Sequence, residues 1–476
     1  MQIMKFNINK TFAGLVIVLN LLTACSDQFL EVQPKGSLIA KSVSDYDVLF
    51  NNLYVVYINS NTQVPMGDEL VAIDPYFSQS DYRTQRLFHW DDVIYQSNDD
   101  APEFSQTMRS IYQFNKVINE IDNATDGTLK QKASLKSEAR AGRAWTNFLL
   151  INYFGLPYSA SSATDPGFPI IKVPDITQAK FVRSTVKEMY DFIVEDLTAA
   201  IPDLPAQTTS RLRMSRAAAE GILGKVYIFM GDYENGRTML DAAISDMANA
   251  KIPVGLYDLE KETATGGVYA DGSVPPMTAD IEDLLVKQST SYWSYMNDEL
   301  VLSPASTALF TSSDYRLSFY TDKTYGGNDY PVPGVLRKKG FSGFQFGVVV
   351  PDLYLLRAEC ACRLGDLAAA KADVELLRSK RMSAADAPVP DGIAAEKINL
   401  LNFILDERTR EFAVMGYRWF DMRRLSVDPL FSSNTYSHTL YSADGTPTVY
   451  TLRPERFVLR FPQKIMEQSP GLVDNP

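Results

Sequence analysis

Apolar residues recur three and four apart over several long stretches of this chain, the spacing that lines one face of a helix. Tyr46, Leu49, Phe50, Leu53 and Tyr57 form the first stripe, with Ser44 as the expected N-cap. Pro102 opens the next, which carries Met108, Ile111, Ile118 and Ile121. Proline suits a first helical turn because the N–H it lacks would have no partner there. A third helix is expected from Ser137 to Phe154, stopping at Gly155 and Pro157. Thr185 and Glu188 form a capping-box pair ahead of Val186, Met189, Ile193 and Leu197, and that helix runs to Pro202.

Two later segments share one layout. Residues 216–244, RAAAEGILGKVYIFMGDYENGRTMLDAAI, read as helix, turn, helix. Leu223, Gly224 and Tyr227 lie on the first helix, Gly231-Asp232 in the turn, and Gly236, Leu240 and Ala243 on the second. The same offsets recur at Tyr354, Ala358, Gly365, Ala370 and Val374. Small residues at such positions let two helices approach closely. The units stand too far apart for a tandem array, which for this kind of hairpin repeats at about 34 residues. They are expected to be scaffold.

Between the helical blocks the periodicity fades. Residues 63–100 hold Asp68, Glu69, Asp74, Tyr76, Phe77, Tyr82, Arg83, His89, Trp90, Asp91 and Asp92 without a clear stripe. Residues 252–346 carry Gly266-Gly267, Pro275-Pro276, Tyr292-Trp293, Tyr295, Gly326-Gly327 and Gly343, marks of loops and short strands. A structureless segment of that length is improbable in a folded body, so it has its own fold or serves a site. Asp444-Gly445, between Tyr441 and Val449-Tyr450, predicts a hairpin.

Charge and aromatic bulk are densest in FILDERTREFAVMGYRWFDMRR, residues 403–424. Glu407 and Arg410, and Asp406 and Arg410, share a helix face. Gly416 is expected to end that helix in the left-handed C′ position. Asp406, Glu407 and Glu411 are either catalytic acids or partners in ion pairs that lock a helix pair into the body.

Composition narrows the chemistry. The chain has 476 residues and a formal charge of −12, so nucleic acid, which demands basic neutralisation of phosphates, is not an expected partner. Only His89 and His438 supply imidazole, which disfavours histidine-based nucleophilic catalysis and zinc sites; a lone loop histidine reads as an incidental polar residue. Cys360 and Cys362 point about 200° apart on a helix, so they cannot pair and read as packing residues. Phosphate-binding, dinucleotide-binding, serine-hydrolase, zinc-protease and EF-hand motifs are missing, and no cofactor is expected. The carboxylate pairs Asp91-Asp92 and Asp99-Asp100 read as solvated acids.

What remains is aromatic: 25 Tyr, 25 Phe and 4 Trp. A ring can stack on the C–H face of a sugar while nearby Asp, Asn or Arg groups bond its hydroxyls. Trp90 with Arg83 and Asp92, and Trp293 with Tyr292, Tyr295 and Asn297, have that composition. The competing reading makes each tryptophan a buried loop anchor. Trp145 and Trp419 lie on helices and are expected in the core.

The N-terminus adds an address. After Lys5 and Lys10, the run TFAGLVIVLNLL (Thr11–Leu22) fits a signal-peptide core and is too short to span a bilayer. Leu22-Thr23-Ala24-Cys25 matches a bacterial lipobox, which predicts cleavage before Cys25 and acylation of its thiol and amine. The expected organisation is a signal over 1–24, an anchor and tether over 25–43, and one domain over 44–476 with irregular insertions near 63–100 and 252–346.

ERTREFAVMGYRWFDMRRL resembles the C-terminal signature of the SusD/RagB family of outer-membrane nutrient-binding lipoproteins. RFPQKIMEQSPGLVDNP resembles that family's ending, EARAGRAWTNFLLINYFGLPY its first signature helix, and FLEVQPKGS its opening. Ser26-Asp27-Gln28 resembles the acidic export signal of surface lipoproteins in Bacteroides-type bacteria. The resemblance implies a mainly α fold, with TPR-like helix pairs as scaffold and a loop-rich ligand face containing short strands. It also implies a non-catalytic lid over a SusC-like TonB-dependent transporter, facing the cell exterior. The lid would capture an oligosaccharide, or in some members a peptide, for import. A surface glycoside hydrolase and a purely protein-binding surface lipoprotein are the alternatives.

Overall fold

The computed structural model describes residues 40–58, 60–177, 180–290, 297–339 and 343–476. The expected signal, the lipid-bearing Cys25, most of the tether, and Tyr292, Trp293 and Tyr295 lie outside the described residues. No helix among the described residues is long and apolar enough to cross a membrane.

Among the described residues, eleven helices of seven or more residues build the scaffold: α1 (Val43–Leu49), α2 (Tyr82–His89), α3 (Pro102–Glu120), α4 (Leu129–Phe154), α5 (Val186–Ala200), α6 (Arg216–Phe229), α7 (Tyr233–Met247), α8 (Val350–Arg363), α9 (Leu367–Arg378), α10 (Lys397–Glu411) and α11 (Tyr417–Leu425). The capping box of α5 forms as expected: Thr185 Oγ1 accepts from Glu188 N at 3.1 Å, and the Glu188 carboxylate accepts from Thr185 N at 2.7 Å.

Three boundaries differ from expectation. Helix α1 is capped by Ser42, not Ser44; Ser42 Oγ accepts from Asp45 N, and the Asp45 carboxylate accepts from Ser42 N. The stripe then breaks at Asn51-Asn52, whose side chains compete for backbone groups, before one turn at Leu53–Val56. Helix α4 starts at Leu129, well ahead of Ser137, because Thr128 and Gln131 form a capping box. Its first turns are polar, so periodicity could not show them. Helix α10 ends at Glu411; Gly416 does adopt φ 81°, but it stands at the N-terminus of α11.

The two helical hairpins are α6–α7 and α8–α9. Gly231 (φ 78°) and Gly365 (φ 88°) turn them, and Asp232 and Asp366 cap the second helix of each. They are distant in sequence but packed together, with α8 lying against α7 and α10. The approach is close. A Cβ built on Gly224 would stand 2.8 Å from Leu240 Cγ, and one on Gly236 would stand 3.3 Å from Cys360 Sγ. Cys360 and Cys362 are fully buried free thiols. These pairs make the protein mainly α with a TPR-like scaffold.

The described residues form ten short strands, seven of them in the irregular stretches: β1 (Leu70–Ile73), β2 (Asp283–Leu285), β3 (Gln288–Thr290), β4 (Leu300–Leu302), β5 (Tyr320–Thr321), β6 (Arg337–Lys338), β7 (Gly343–Gln345), β8 (Val348–Val349), β9 (Ser437–Tyr441) and β10 (Pro447–Thr451). One sheet has the order β10-β9-β1-β4; the other strands form the two-stranded ribbons β2–β8, β3–β7 and β5–β6. Strand β1 runs antiparallel to β4, with Leu70 opposite Leu302, and parallel to β9, with Ala72 opposite Leu440. The expected hairpin is β9–β10, turned at Gly445 (φ 84°). This sheet therefore joins the two irregular segments to the C-terminal hairpin. Alternation along the strands gives it two faces. Leu70, Ala72, Leu300 and Leu302 enter the main core, whereas Val71, Ile73 and Val301 pack outward under Tyr330 and Val335.

Candidate functional site: an aromatic face above the sheet

The residues over the outward face are held by one carboxylate. Asp298 Oδ1 accepts from Tyr325 N at 2.6 Å and from Tyr330 Oη at 3.1 Å, and it lies 3.4 Å from Arg337 Nε. Asn297 fixes that carboxylate from behind. It is buried, with Oδ1 accepting from Leu300 N and Nδ2 donating to Leu300 O, both at 2.9 Å. Burial and the Asp298 charge push the Tyr330 phenol upward, so it stays neutral and donating.

Tyr325 then stands 56% exposed on a braced loop, with the Arg337 guanidinium 5.8 Å from its ring centroid. Half-buried Tyr76 and Tyr441 pack at the same face, and the hairpin tip closes its edge, a Cβ on Gly445 falling 3.3 Å from Pro331 O. Tyr292, Trp293 and Tyr295 lie outside the described residues. Exposed rings beside a carboxylate and a guanidinium can stack on a sugar and bond its hydroxyls.

The other expected residues do not converge. Trp90 is 3% exposed and caps α2 in the left-handed conformation (φ 52°), with Nε1 donating to Met66 O at 3.2 Å. Its position is that of a loop anchor, with no ring face open to solvent. Arg83 turns the other way, donating to Asn61 Oδ1 at 3.3 Å and lying 3.4 Å from the buried Glu103 carboxylate. Asp92 lies in the exposed loop beyond α2 and pairs with Arg453 and Arg456. Asn297 spends its amide on the Leu300 backbone. His438 also departs from expectation: it is fully buried, with ring nitrogens 2.6 Å from Phe88 O and 2.7 Å from Gly67 O. The sequence reading missed Tyr325, Tyr330 and Asp298. The available signal was a tyrosine directly before Gly326-Gly327, a tight turn that presents its neighbour outward.

The charged signature is structural. Glu407, fully buried, contacts Arg316 and Arg378 at 2.8 and 2.7 Å and Arg410 at 2.5 Å. Glu411 bonds Arg316 and Arg381 at 2.8 Å each. Arg408 pairs with Asp352 and Asp421, and Arg424 with Asp421 and Glu359. Although burial opposes ionisation, these guanidinium groups hold Glu407, Glu411 and Asp421 below the usual carboxylate range. A general acid requires the reverse shift. Asp406 is exposed on α10 beside this network; desolvation raises its carboxyl, against the pull of the nearby Arg410 and Arg418 charges. Trp145 and Trp419 are buried, as expected. Among the described residues, no three His, Cys, Asp or Glu side chains are grouped to hold a metal ion.

A TPR-like helical scaffold carrying short strands is a fold shared with SusD superfamily structures. Residues 28–228 match the family profile described as starch-binding and associating with the outer membrane, and residues 351–476 match the SusD family profile. The chain belongs to the SusD/RagB family. A SusD-like protein of Bacteroides ovatus is 27% identical over 236 residues, 46% of this chain and 39% of that relative's length. The fold is similar to that of a SusD superfamily protein from Bacteroides vulgatus, with TM-score 0.70 and 20% identity over 92% of this chain and 99% of that one. A Bacteroides thetaiotaomicron member gives TM-score 0.71 and 18% identity over 91% and 100%. A laminarin-binding SusD-like protein gives TM-score 0.63 and 17% identity over 92% and 99%.

Proposed function

We propose that this protein is a lipid-anchored binding subunit on the outer face of the outer membrane. It captures an oligosaccharide and delivers it to a SusC-like TonB-dependent transporter without cleaving it. The observation that carries the reading is Tyr325, exposed on a loop braced by Asp298 and Arg337. Trp293, Tyr292 and Tyr295 are proposed to complete the stacking surface. Family membership and the laminarin-binding relative support a glycan as the cargo. Ligand handover favours modest affinity, since tight complexes release slowly. Cys25 is the proposed lipid attachment point, and the segment after it is the tether.

The test is a glycan and peptide array on the chain from Ser26 onward, followed by chromatography of each bound sugar. Binding of an oligosaccharide with no product formed supports the proposal. Release of shorter sugars would establish the hydrolase alternative, and binding of peptides alone would replace the cargo.

A further inference from the structure

The strands and loops that build the aromatic face carry an unbalanced charge. Residues 70–76, 297–302, 320–339 and 437–451 hold the carboxylates Asp74, Asp298, Glu299, Asp322, Asp329 and Asp444. Against them stand Lys323, Arg337 and Lys339. Lys338 turns into the body, donating to Ala413 O at 3.1 Å, and His438 is buried. Just beyond these ranges, Asp68 pairs with Arg418, and Arg453 and Arg456 pair with Asp92. Residues 291–296 and 340–342 add no charged side chain.

The cations of the face are already engaged. Arg337 is the only arginine in these segments and is 7% exposed; its Nε donates to Lys323 O at 3.1 Å and lies 3.4 Å from Asp298 Oδ1. Lys323 pairs with Asp329, and Asp322 lies 3.8 Å from its amine. Lys339 is exposed beyond β6, where its N–H donates to Phe319 O at 2.8 Å. The acids, in contrast, stand out in solvent. An antiparallel bridge joins Lys323 to Asp329, and Tyr325 stands on the turn between them. The Asp329 side chain is 83% exposed. Asp444 is exposed at the tip of the β9–β10 hairpin, next to the Gly445 that lies against Pro331. Hydrogen bonds from Ser442 Oγ and Thr446 N pull its carboxyl down to about 2, so it stays ionised. An acidic sugar stacked on Tyr325 would meet these carboxylates, while the guanidinium suited to a paired contact with it is held by Asp298.

We infer that this face admits uncharged glycans and rejects those built of uronic acids, with Asp329 and Asp444 as the discriminating residues. Repulsion of this kind selects by penalising the wrong ligand, without requiring a contact to the right one. The inference rests on the cargo reading of the same face and narrows its substrate class.

The test takes the chain from Ser26 and an array of neutral oligosaccharides, each paired with its C6 uronate and the methyl ester of that uronate. For every sugar bound, calorimetry compares uronate with ester, which differ chiefly in charge, in about 0.02 M and about 0.5 M salt. The uronate is expected to bind at least about tenfold more weakly than the ester at low salt, and the gap is expected to close at high salt. Asp329→Asn combined with Asp444→Asn is expected to narrow the low-salt gap to about threefold or less. Equal binding of uronate and ester, or a gap that salt does not close, would overturn the inference and leave the cargo reading standing. An unchanged gap in the double variant would overturn the part given to Asp329 and Asp444. Binding of no sugar on the array would remove the cargo reading, and this inference with it.

Discussion

The indole of Trp90 and the imidazole of His438 stack 3.9 Å apart, centroid to centroid, with planes 12° from parallel. Phe88 covers the opposite imidazole face at 4.2 Å and 5°. This three-ring stack pins the end of α2 to strand β9. Trp90→Ala is expected to cost about 3–5 kcal/mol of folding stability, since it empties a packed site and frees a strained turn. Urea denaturation checks it, and a loss below about 1 kcal/mol would contradict the stack's structural role.

Glu407 is fully buried and holds three arginines. Glu407→Gln should destabilise the protein by about 3–5 kcal/mol, because the arginines stay buried after their shared counter-charge is gone. The sign of the acid response follows. The folded carboxyl titrates below its ordinary value of 4.5, so its contribution is complete above 4.5 and is lost as pH falls below it. Denaturation midpoints of the wild type should drop across that range more steeply than those of Glu407→Gln.

Glu69 works in the opposite sense. It is 2% exposed beside Asp68, and burial raises its carboxyl from 4.5 to about 8. The folded state keeps a proton that the unfolded chain gives up at 4.5, so stability declines as pH climbs from there and levels off past about 8. That shift corresponds to about 5 kcal/mol at full extent. Glu69→Gln should flatten this decline and be the more stable protein at mildly alkaline pH; parallel pH profiles for the two would refute the assignment.

Tyr325→Ala and Trp293→Ala test the proposed cargo surface. Each is expected to weaken oligosaccharide binding by about tenfold, the scale of one ring contact of 0.5–1.5 kcal/mol plus the area it covers. For Tyr325→Ala the melting temperature should stay within a degree or two, because more than half of that side chain is already in water. A large fall in melting temperature would place the residue in the core.

Cys25→Ala should abolish incorporation of labelled fatty acid and release the protein from membranes. Labelling that persists would remove the lipobox assignment and the anchored location with it.

The sequence shows its scaffold more readily than its site, for a physical reason. Helices α5, α6, α7, α8 and α9 bury repeating stripes, and their caps are local: Thr185 with Glu188, Asp232 and Asp366 after a glycine. Such features need no distant partner to be read. Asp298 is different, because its meaning comes from Tyr325, Tyr330 and Arg337, brought to it by a loop. Trp90 misled because a tryptophan among acids and arginines looks the same whether its ring faces water or His438. The ion pairs of 403–424 were half legible: Glu407 with Arg410 follows from helical spacing, but Arg316 and Arg378 come from elsewhere in the chain.

Strand β1 pairs in parallel with β9, which the ribosome makes some 370 residues later. A nascent molecule still short of Ser437 therefore has a helical body, but Trp90 lacks its partner ring and the sheet lacks half its strands. Completion of this sheet must wait for synthesis of nearly the whole polypeptide. A molecule truncated before that point leaves β1 with an unpaired edge and is a natural target for proteolysis.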